Sequence, residues 1–199
     1  NFRKNFIKEV YNYKNIYDFE NLIYVNNTNI NNKISFSVFE NCCNDEFLNS
    51  GKKIIYKSIL EKIRIFHFHP GYLPQIKGAD SSIRSIQSEK KFGISFFELN
   101  KKIDEGYVLF REKKDYPNLK LKNKSNFSVK EMYNIWHSFI DPILRAYYLN
   151  EILKSKIHID YQINSEKKLN QISKFELEET NYYSFLNQNE KKKFFQLYL

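Results

Sequence analysis

The sequence predicts an α/β domain with a mainly parallel sheet and helices on both faces, followed by a mostly helical C-terminal extension. Two apolar runs, residues 63–68 and 94–99, have the length and composition of buried strands. A predicted helix that begins near Asp80 lies between them. The order strand, helix, strand over so short a distance is typical of a parallel crossover. A strong amphipathic pattern beginning at Ser128 indicates the helical part.

The N-terminal third contains weaker patterns. These predict a helix at residues 5–14, strands at 22–25 and 34–38 on either side of an Asn-rich turn, and a second turn at 49–51. A short helix at 54–63 follows, with its inward side chains at Ile54, Ile55, Ile59 and Leu60. The strand at 63–68 must then stop at Pro70, because proline lacks the amide donor that a strand ladder needs.

The central helix has a clear start signal. Asp80-Ser81-Ser82 is a good N-cap cluster, and the helix after it would bury Ile83 and Ile86. The next strand, at 94–99, is preceded by Gly93 and followed by an Asp-x-Gly turn at residues 104–106.

The helix after residue 127 begins with a capping box, in which Ser128 and Glu131 satisfy each other's backbone amides. Its apolar face is formed by Val129, Met132, Tyr133, Trp136 and Ile140. Asp141-Pro142 fits a helix restart, with Asp at the N-cap and Pro at the first helical position. The restarted helix would bury Ile143, Leu144, Tyr147, Tyr148 and Ile152. A strand at 157–163 and a short helix from Asn189 complete the extension. We divide the chain into an α/β part, 1–115, and the helical extension packed on it, 116–199.

Composition excludes several classes of protein. The formal net charge is +9, but the lysines are dispersed and no basic block with interleaved aromatics marks a nucleic-acid groove. Cys42 and Cys43 are adjacent, which excludes a disulfide scaffold and favours a reducing, cytoplasmic setting. No membrane span or signal peptide is present in the sequence. The chain begins with Asn1 rather than Met, which is compatible with an incomplete N-terminus.

The candidate chemistry lies at the ends of the two central strands. His67 and His69 are two positions apart, so their side chains point to the same side where the strand ends. Asp104 follows the next strand, and in a parallel sheet both ends would meet at the ligand-binding edge. A His–Asp pair suits transfer of an acyl-type group, because the carboxylate steers a proton while imidazole donors stabilise the oxyanion.

Other interpretations of these residues remain open. Two histidines at a strand end also fit a simple polar cap, or two metal ligands with Cys42, Cys43 or Asp104 as the third, although the spacing is not that of a usual zinc site. The remaining polar and aromatic side chains fit structural roles: His137 and His158 on a helix and a strand, Arg145 in a helix-surface salt bridge, and Trp136, Tyr147 and Tyr148 in the core.

Three motifs together resemble the folate-dependent formyltransferases. The chain has His-x-His-Pro-Gly-x-Leu-Pro at residues 67–74, Gly78-Ala79, and Asp104-Glu105-Gly106. The family typically shows Asn-x-His-Pro-Ser-x-Leu-Pro, a Gly-Ala turn, and Asp-x-Gly at a similar distance. The similarity covers residues 45–115, with a fainter match at 133–152.

The resemblance implies a Rossmann-like fold and formyl transfer from 10-formyltetrahydrofolate to an amine. It makes His69 the catalytic histidine and Asp104 the catalytic aspartate, with His67 beside them as a second donor to the oxyanion. The backbone of Ile54 and Ile55 and of the loop Ile103, Asp104, Glu105 and Gly106 would hold the pterin ring. No metal site is implied.

The departures from the family limit the acceptor. His67 stands where the family usually has Asn, which changes the reach of the side chain and adds a titratable group. No Gly-rich phosphate turn precedes Ser50, which argues against the ribonucleotide of purine synthesis. The tail does not match the β-rich domain of the methionyl-tRNA enzymes. An amino sugar carried on a nucleotide, or another small primary amine, is the favoured acceptor, and a catalytically inactive or partial relative that binds a ligand is the alternative.

Overall fold

The computed structural model describes residues 29–32, 37, 38, 40, 41, 46–49, 53–116, 124–154 and 180–198. The predicted elements at 5–14, 22–25 and 157–163 lie outside these residues, as do Ser50, Cys42, Cys43 and His158. Within these residues, the central sheet has four strands in the order β1-β2-β4-β5. Their bounds are Glu46–Asn49 (β1), Arg64–His69 (β2), Lys91–Glu98 (β4) and Tyr107–Asp115 (β5). A separate pair joins β3, Ile76–Gly78, to β6, Asn181–Tyr183, in parallel.

Among the described strands the central sheet is mixed, so the predicted mainly parallel sheet is not confirmed. β1 and β2 are parallel, but β4 is antiparallel to both β2 and β5. His69, the last residue of β2, pairs with Ser95, and Phe66 pairs with Glu98. The chain therefore re-enters the sheet at the end that it left, and the intervening helix does not form a parallel crossover. Apolar content marks a buried strand but does not encode its direction, which is why the sequence pattern failed here.

Five α-helices and two short helical turns are present in the described part of the chain from residue 53 onward. The α-helices of this part are Lys57–Leu60 (α1), Ser81–Glu89 (α2), Val129–Ile135 (α3), Asp141–Lys154 (α4) and Gln188–Tyr198 (α5). A π-helical turn, Trp136–Ile140, joins α3 directly to α4, and a short 3₁₀ turn, Lys124–Asn126, precedes α3. No helix among the described residues is long and apolar enough to cross a membrane.

The two faces of β2 are covered differently. Phe66 and Phe68 belong to the main core, which includes side chains from α2 through α5. Ile65 faces the other way and packs with Ile55, Ile59 and Ile63 in a smaller cluster around α1. Since side chains alternate along a strand, His67 and His69 share the face of Ile65. This face has the lighter helical cover among the described residues, which leaves room for a cleft.

Several predicted helical features are confirmed. Ser128 Oγ accepts from the Glu131 amide at 3.3 Å, and Glu131 Oε2 accepts from the Ser128 amide at 2.7 Å, which completes the capping box. Ile83 and Ile86 are fully buried in α2, and Trp136 and Tyr148 lie in the main core. The terminal helix predicted from Asn189 is α5.

Other local predictions are wrong. The helix at 54–63 shrinks to the four residues of α1, and Ile54 is 64% exposed instead of facing inward. Ser37 and Val38 are helical rather than extended. Asp141 has helical backbone angles, because the π turn continues into α4 without a restart. The division of the chain at residue 115 stays a prediction, although the main core combines side chains from both sides of it.

Candidate active site

A cleft of about 600 Å³ opens beside the C-terminal end of β2. One wall carries His67 and His69, and the loop after β4 contributes Ile103 and Asp104. Ile54 and Ile55 line the same cleft. The far wall comes from the start of α2, from α3, the π turn and α4, and from the C-terminal segment. The structure therefore brings together residues that lie far apart along the chain.

His69 is held in one orientation by the turn that follows it. Its side chain is buried, and its Nε2 lies 2.9 Å from the Ile76 carbonyl oxygen. Because a carbonyl only accepts, Nε2 carries the proton and donates it to Ile76. A Cβ at Gly71 would lie 2.7 Å from this Nε2, so any larger residue at this position would displace the ring. The fixed orientation leaves Nδ1 facing the carboxylate of Asp104.

Asp104 approaches His69 from the loop between β4 and β5. Its Oδ1 lies 3.6 Å from His69 Nδ1, and its Oδ2 accepts a hydrogen bond of 2.7 Å from the Gly78 amide. Asp104 itself has a left-handed backbone, with φ of 54°. Next to it, Glu105 accepts a 2.9 Å hydrogen bond from the ammonium group of Lys77. Two contacts with β3 therefore fix the loop, and the pair forms although β4 runs antiparallel to β2.

His67 has a different set of partners. Its Nδ1 lies 2.9 Å from the carbonyl oxygen of Asn49, at the end of β1, and its ring meets Phe97 edge-on. Burial lowers the pKa of His67 to about 4, more than the Asn49 contact raises it, and the neighbouring His69 lowers it further. His67 is therefore a neutral imidazole at pH 7, with the proton on Nδ1.

A second polar cluster lies on the far wall, around the buried side chain of Asp80. Asp80 Oδ1 accepts from Tyr133 Oη at 2.8 Å and lies 2.9 Å from His137 Nε2, and Oδ2 accepts from the Leu186 amide at 2.8 Å. Burial acts to raise the pKa of Asp80, but the contacts with His137, Leu186 and Tyr133 outweigh it and hold that pKa below its ordinary value. Asp80 occupies the predicted N-cap position of α2, yet its side chain makes no capping hydrogen bond.

This cluster was not predicted from the sequence. A structural role without a named partner was expected for His137, whereas Asp80, 57 positions earlier, contacts it. Tyr133, His137, Asp141 and Arg145 recur at intervals of four, which is the spacing of one helical face and the signal that could have identified this wall. Arg145 forms a salt bridge of 3.0 Å with Asp141, but the two side chains are largely buried and not on the helix surface as predicted, and Arg145 also lines the cleft.

The residues predicted to bind folate line two adjoining cavities. Ile54, Ile55 and Ile103 line the cleft of the two histidines. Glu105 and Gly106 line a neighbouring cavity of about 860 Å³, which also includes Asp104. The loop 99–104 borders both cavities. Within the described ranges, no group of three His, Cys, Asp or Glu side chains is arranged to hold a metal ion.

No protein-family model matches the sequence, and no curated protein matches it significantly. Its structural neighbours include several formyltransferases. A sugar N-formyltransferase from Shewanella sp. FDAARGOS_354 is 18% identical with a TM-score of 0.40, over 58% of this chain and 48% of that one. The phosphoribosylglycinamide formyltransferase of Campylobacter jejuni is 21% identical with a TM-score of 0.38, over 60% of each chain.

A third neighbour matches over more of its length. The formyltransferase PseJ from Anoxybacillus kamchatkensis, solved with UDP-4,6-dideoxy-4-formamido-L-AltNAc and tetrahydrofolate, is 16% identical with a TM-score of 0.40. The match covers 98% of this chain and 85% of that one. The chain spans less than two thirds of the Shewanella and Campylobacter proteins. At such identities and TM-scores, the chemistry of the cleft has to be derived from this chain's own residues.

Proposed function

We propose that the chain is a folate-dependent N-formyltransferase, which moves a formyl group from 10-formyltetrahydrofolate to a primary amine. The observation that carries this proposal is the pairing of buried His69 with partly buried Asp104 at the head of an open cleft. Formyl transfer needs a group that takes a proton from the amine and a donor that stabilises the oxyanion of the tetrahedral intermediate. A carboxylate facing an imidazole nitrogen supplies both.

In the proposed mechanism, His69 becomes cationic in the transition state, because the proton lost by the amine passes through Asp104 toward Nδ1. The Nε2 proton stays on the hydrogen bond to the Ile76 carbonyl, so the proton that arrives on Nδ1 faces the cleft and Asp104. This charge stabilises the negative oxygen that develops on the formyl group. A bond forms between the amine nitrogen and the formyl carbon, and the bond from that carbon to N10 of the folate breaks. Asp104 accepts the proton lost by the amine, which ends on N10.

The apolar residues of the cleft fit the folate ring. Ile55 is buried, while Ile54 and Ile103 expose 64% and 46% of their surface at the mouth of the cleft. Such exposed apolar side chains beside polar groups are typical of a site for a flat, partly polar ligand. We propose that they bind the pterin, together with the backbone of the loop 103–106. The folate supplies the formyl group.

The opposite wall favours a polar acceptor. Tyr133, His137 and Arg145 line the cleft from α3, the π turn and α4, so this wall is polar and carries an aromatic ring. We propose an amino sugar, free or linked to a nucleotide, in preference to an apolar amine. The alternative, a relative that binds these ligands without turnover, differs from the proposal only in its activity.

The test is the substitution Asp104→Asn in the full chain. Asn tolerates a left-handed backbone and keeps an oxygen to accept from the Gly78 amide, so the fold should be retained. It cannot take a proton from the amine. We expect transfer from 10-formyltetrahydrofolate to UDP-4-amino-4,6-dideoxy-L-AltNAc, or to another amine of a nucleotide-sugar panel, to fall at least about a hundredfold.

Asp115→Asn is the matched control, because that carboxylate is 90% exposed, lies at the end of β5 and pairs with Lys91. It should leave turnover unchanged. Calorimetric binding of a stable 10-formyltetrahydrofolate analogue separates the two candidate functions. Binding without turnover by any amine of the panel supports the inactive relative, and an active Asp104→Asn variant refutes the mechanism.

A further inference from the structure

We infer that His67 accepts a hydrogen bond from the attacking amine through Nε2, and that it is not a second donor to the oxyanion. The inference rests on the proposed function, because the amine is the acceptor of that reaction. It reverses the hydrogen-bonding role expected from the sequence. His67 stands in place of an asparagine amide, so the sequence predicts a donor at this position. The inference is based on the contacts of the two ring nitrogens of His67.

The contact with β1 fixes which nitrogen of His67 carries the proton. Nδ1 lies 2.9 Å from the Asn49 carbonyl oxygen, and a carbonyl has no proton to donate. Nδ1 must therefore be the donor. A neutral imidazole has a single N–H, so Nε2 of His67 is left with a lone pair. An imidazole in this state can accept a hydrogen bond at Nε2 and cannot donate one.

The surroundings of His67 keep it neutral. Phe97 covers one edge of the ring at a centroid distance of 5.9 Å, and His69 and Arg145 disfavour a second positive charge nearby. Asp104 favours the charged form through its field, but its contribution is the smallest of those acting on this ring. Burial therefore dominates, and a proton does not return to Nε2 near neutral pH.

His69, on the same face of β2, has the opposite arrangement. Its Nε2 donates to the Ile76 carbonyl, so its Nδ1 is the nitrogen left for Asp104 and the reaction. Two histidines, two positions apart, thus carry their protons on different nitrogens because each meets a different backbone carbonyl. One ring serves the oxyanion and the other presents a lone pair to the cleft.

This polarity matches the needs of an amine. A neutral primary amine has two N–H groups and one lone pair, and only the lone pair attacks the formyl carbon. An acceptor at His67 Nε2 engages one N–H, which restricts the rotation of the amine and favours the orientation with the lone pair toward the carbon. A donor at this position would instead compete for that lone pair. The site accordingly selects a nucleophile that still carries a proton to donate.

The first experiment measures the tautomers directly, without turnover. Long-range ¹H–¹⁵N spectra of the full chain with labelled histidine distinguish protonated from unprotonated ring nitrogens, and His67→Phe assigns the signals. We expect a protonated Nδ1 and an unprotonated Nε2 for His67, and the reverse for His69. Titration with UDP-4-amino-4,6-dideoxy-L-AltNAc should shift the His67 Nε2 resonance upfield. A protonated Nε2 at pH 7, or no shift on saturation with this amine, overturns the inference.

The second experiment separates acceptance from simple packing. His67→Phe keeps a ring but loses the lone pair, so the KM for the amine should rise about tenfold while the KM for the formyl donor stays constant. His67→Gln retains an acceptor oxygen and should recover most of this loss. Equal KM values for both variants contradict the inference. If the tautomers and the amine-dependent shift are as expected but no transfer occurs, the proposed function fails and the binding role of His67 stands.

Discussion

At the scale of single residues, the site depends on two backbone carbonyls. Asn49 and Ile76 each accept from a histidine ring, and these two contacts decide which nitrogen of His67 and of His69 reaches the cleft. The side chains could be located from the sequence because the alternation of a strand places both histidines on one face. Which ring nitrogen carries the proton could not be predicted. Every residue has a backbone carbonyl, and the motif does not indicate which carbonyl will lie beside each ring.

The depressed pKa of His67 makes the stability of the fold depend on pH. Burial lowers that pKa from 6.5 to about 4, so between these two values the unfolded chain binds a proton that the folded chain does not. The free energy of unfolding must therefore rise with pH across this window and fall as the solution is acidified from pH 6.5 toward pH 4. Because each tenfold difference in proton affinity corresponds to about 1.4 kcal/mol, the loss reaches roughly 3 kcal/mol at the acidic end.

Urea unfolding of the wild type and of His67→Gln at pH 6.5 and pH 4.5 tests this expectation. The carboxyl groups of Asp80 and Glu190, whose pKa values are lowered in the fold, also weaken it on acidification. They are present in both proteins, so the difference between the two pH dependences isolates His67. The variant should lose about 2 kcal/mol less than the wild type. Equal losses would show that His67 is not protected from protonation.

At the scale of secondary structure elements, the short strand β3 positions the Asp104 loop. The Gly78 amide binds Asp104, and the Lys77 ammonium binds Glu105 from a side chain only 9% exposed. This contact is the main reason that the pKa of Glu105 is lowered, although burial acts against it. Glu105 has a second cation at 3.1 Å, Lys102, which is 67% exposed. The Glu105 carboxylate therefore pairs with one buried lysine, Lys77, and one exposed lysine, Lys102, which can be compared by substitution.

We expect Lys77→Met to lower kcat/KM about tenfold, because the loop loses its anchored contact and Asp104 shifts relative to His69. Lys102→Met should change kcat/KM less than about twofold, since an exposed ion pair contributes little. The measurement is formyl transfer at saturating folate, with circular dichroism to confirm that both variants fold. Equal effects of the two substitutions would show that β3 does not position the loop.

Most of the central secondary structure elements could be predicted from the sequence, but the direction in which β4 joins the sheet could not. Apolar runs identified β2 and β4, and the start signal at residues 80–82 identified α2. The direction of β4 depends on the path that β3 and α2 take between β2 and β4, and β3 pairs with β6, more than a hundred residues later. Such a long-range contact has no local signature. The His69–Asp104 proximity was expected at a parallel edge, and the structure reaches it through a loop instead.

At the scale of the whole molecule, the C-terminal segment completes the fold around the cleft. The Leu186 amide binds Asp80, and Glu190 contacts the guanidinium of Arg84 on α2 at 2.7 and 3.3 Å. A Cβ at Gly78 would lie 2.3 Å from the Tyr183 carbonyl oxygen, so β6 approaches β3 as closely as only glycine permits. Residues 180–198 therefore contact both α2, together with the Asp80 that precedes it, and β3, whose Gly78 amide binds Asp104.

Substitutions on the two sides of α5 test whether the C-terminal segment folds as one unit with the central sheet. Phe194 is fully buried in the main core and meets Trp136 edge-on at 5.1 Å, while Leu197, on the same helix, is 66% exposed. Truncating a buried Phe removes apolar contacts and leaves a cavity, so Phe194→Ala should destabilise the whole protein by about 3–5 kcal/mol. Leu197→Ala, with the same kind of truncation on the exposed side, should cost less than about 1 kcal/mol.

The measurement is urea unfolding followed both by circular dichroism and by the fluorescence of Trp136, the single tryptophan of the chain, which contacts Phe194 directly. If α5 is part of one cooperative unit, both probes should shift together in Phe194→Ala, because the loss of its packing weakens the sheet and the helices at once. A separate early transition in the fluorescence, with the transition by circular dichroism unmoved, would mean that the extension unfolds alone. The division at residue 115 would then mark a true boundary, and the cleft would lose its far wall without losing the pair of His69 and Asp104.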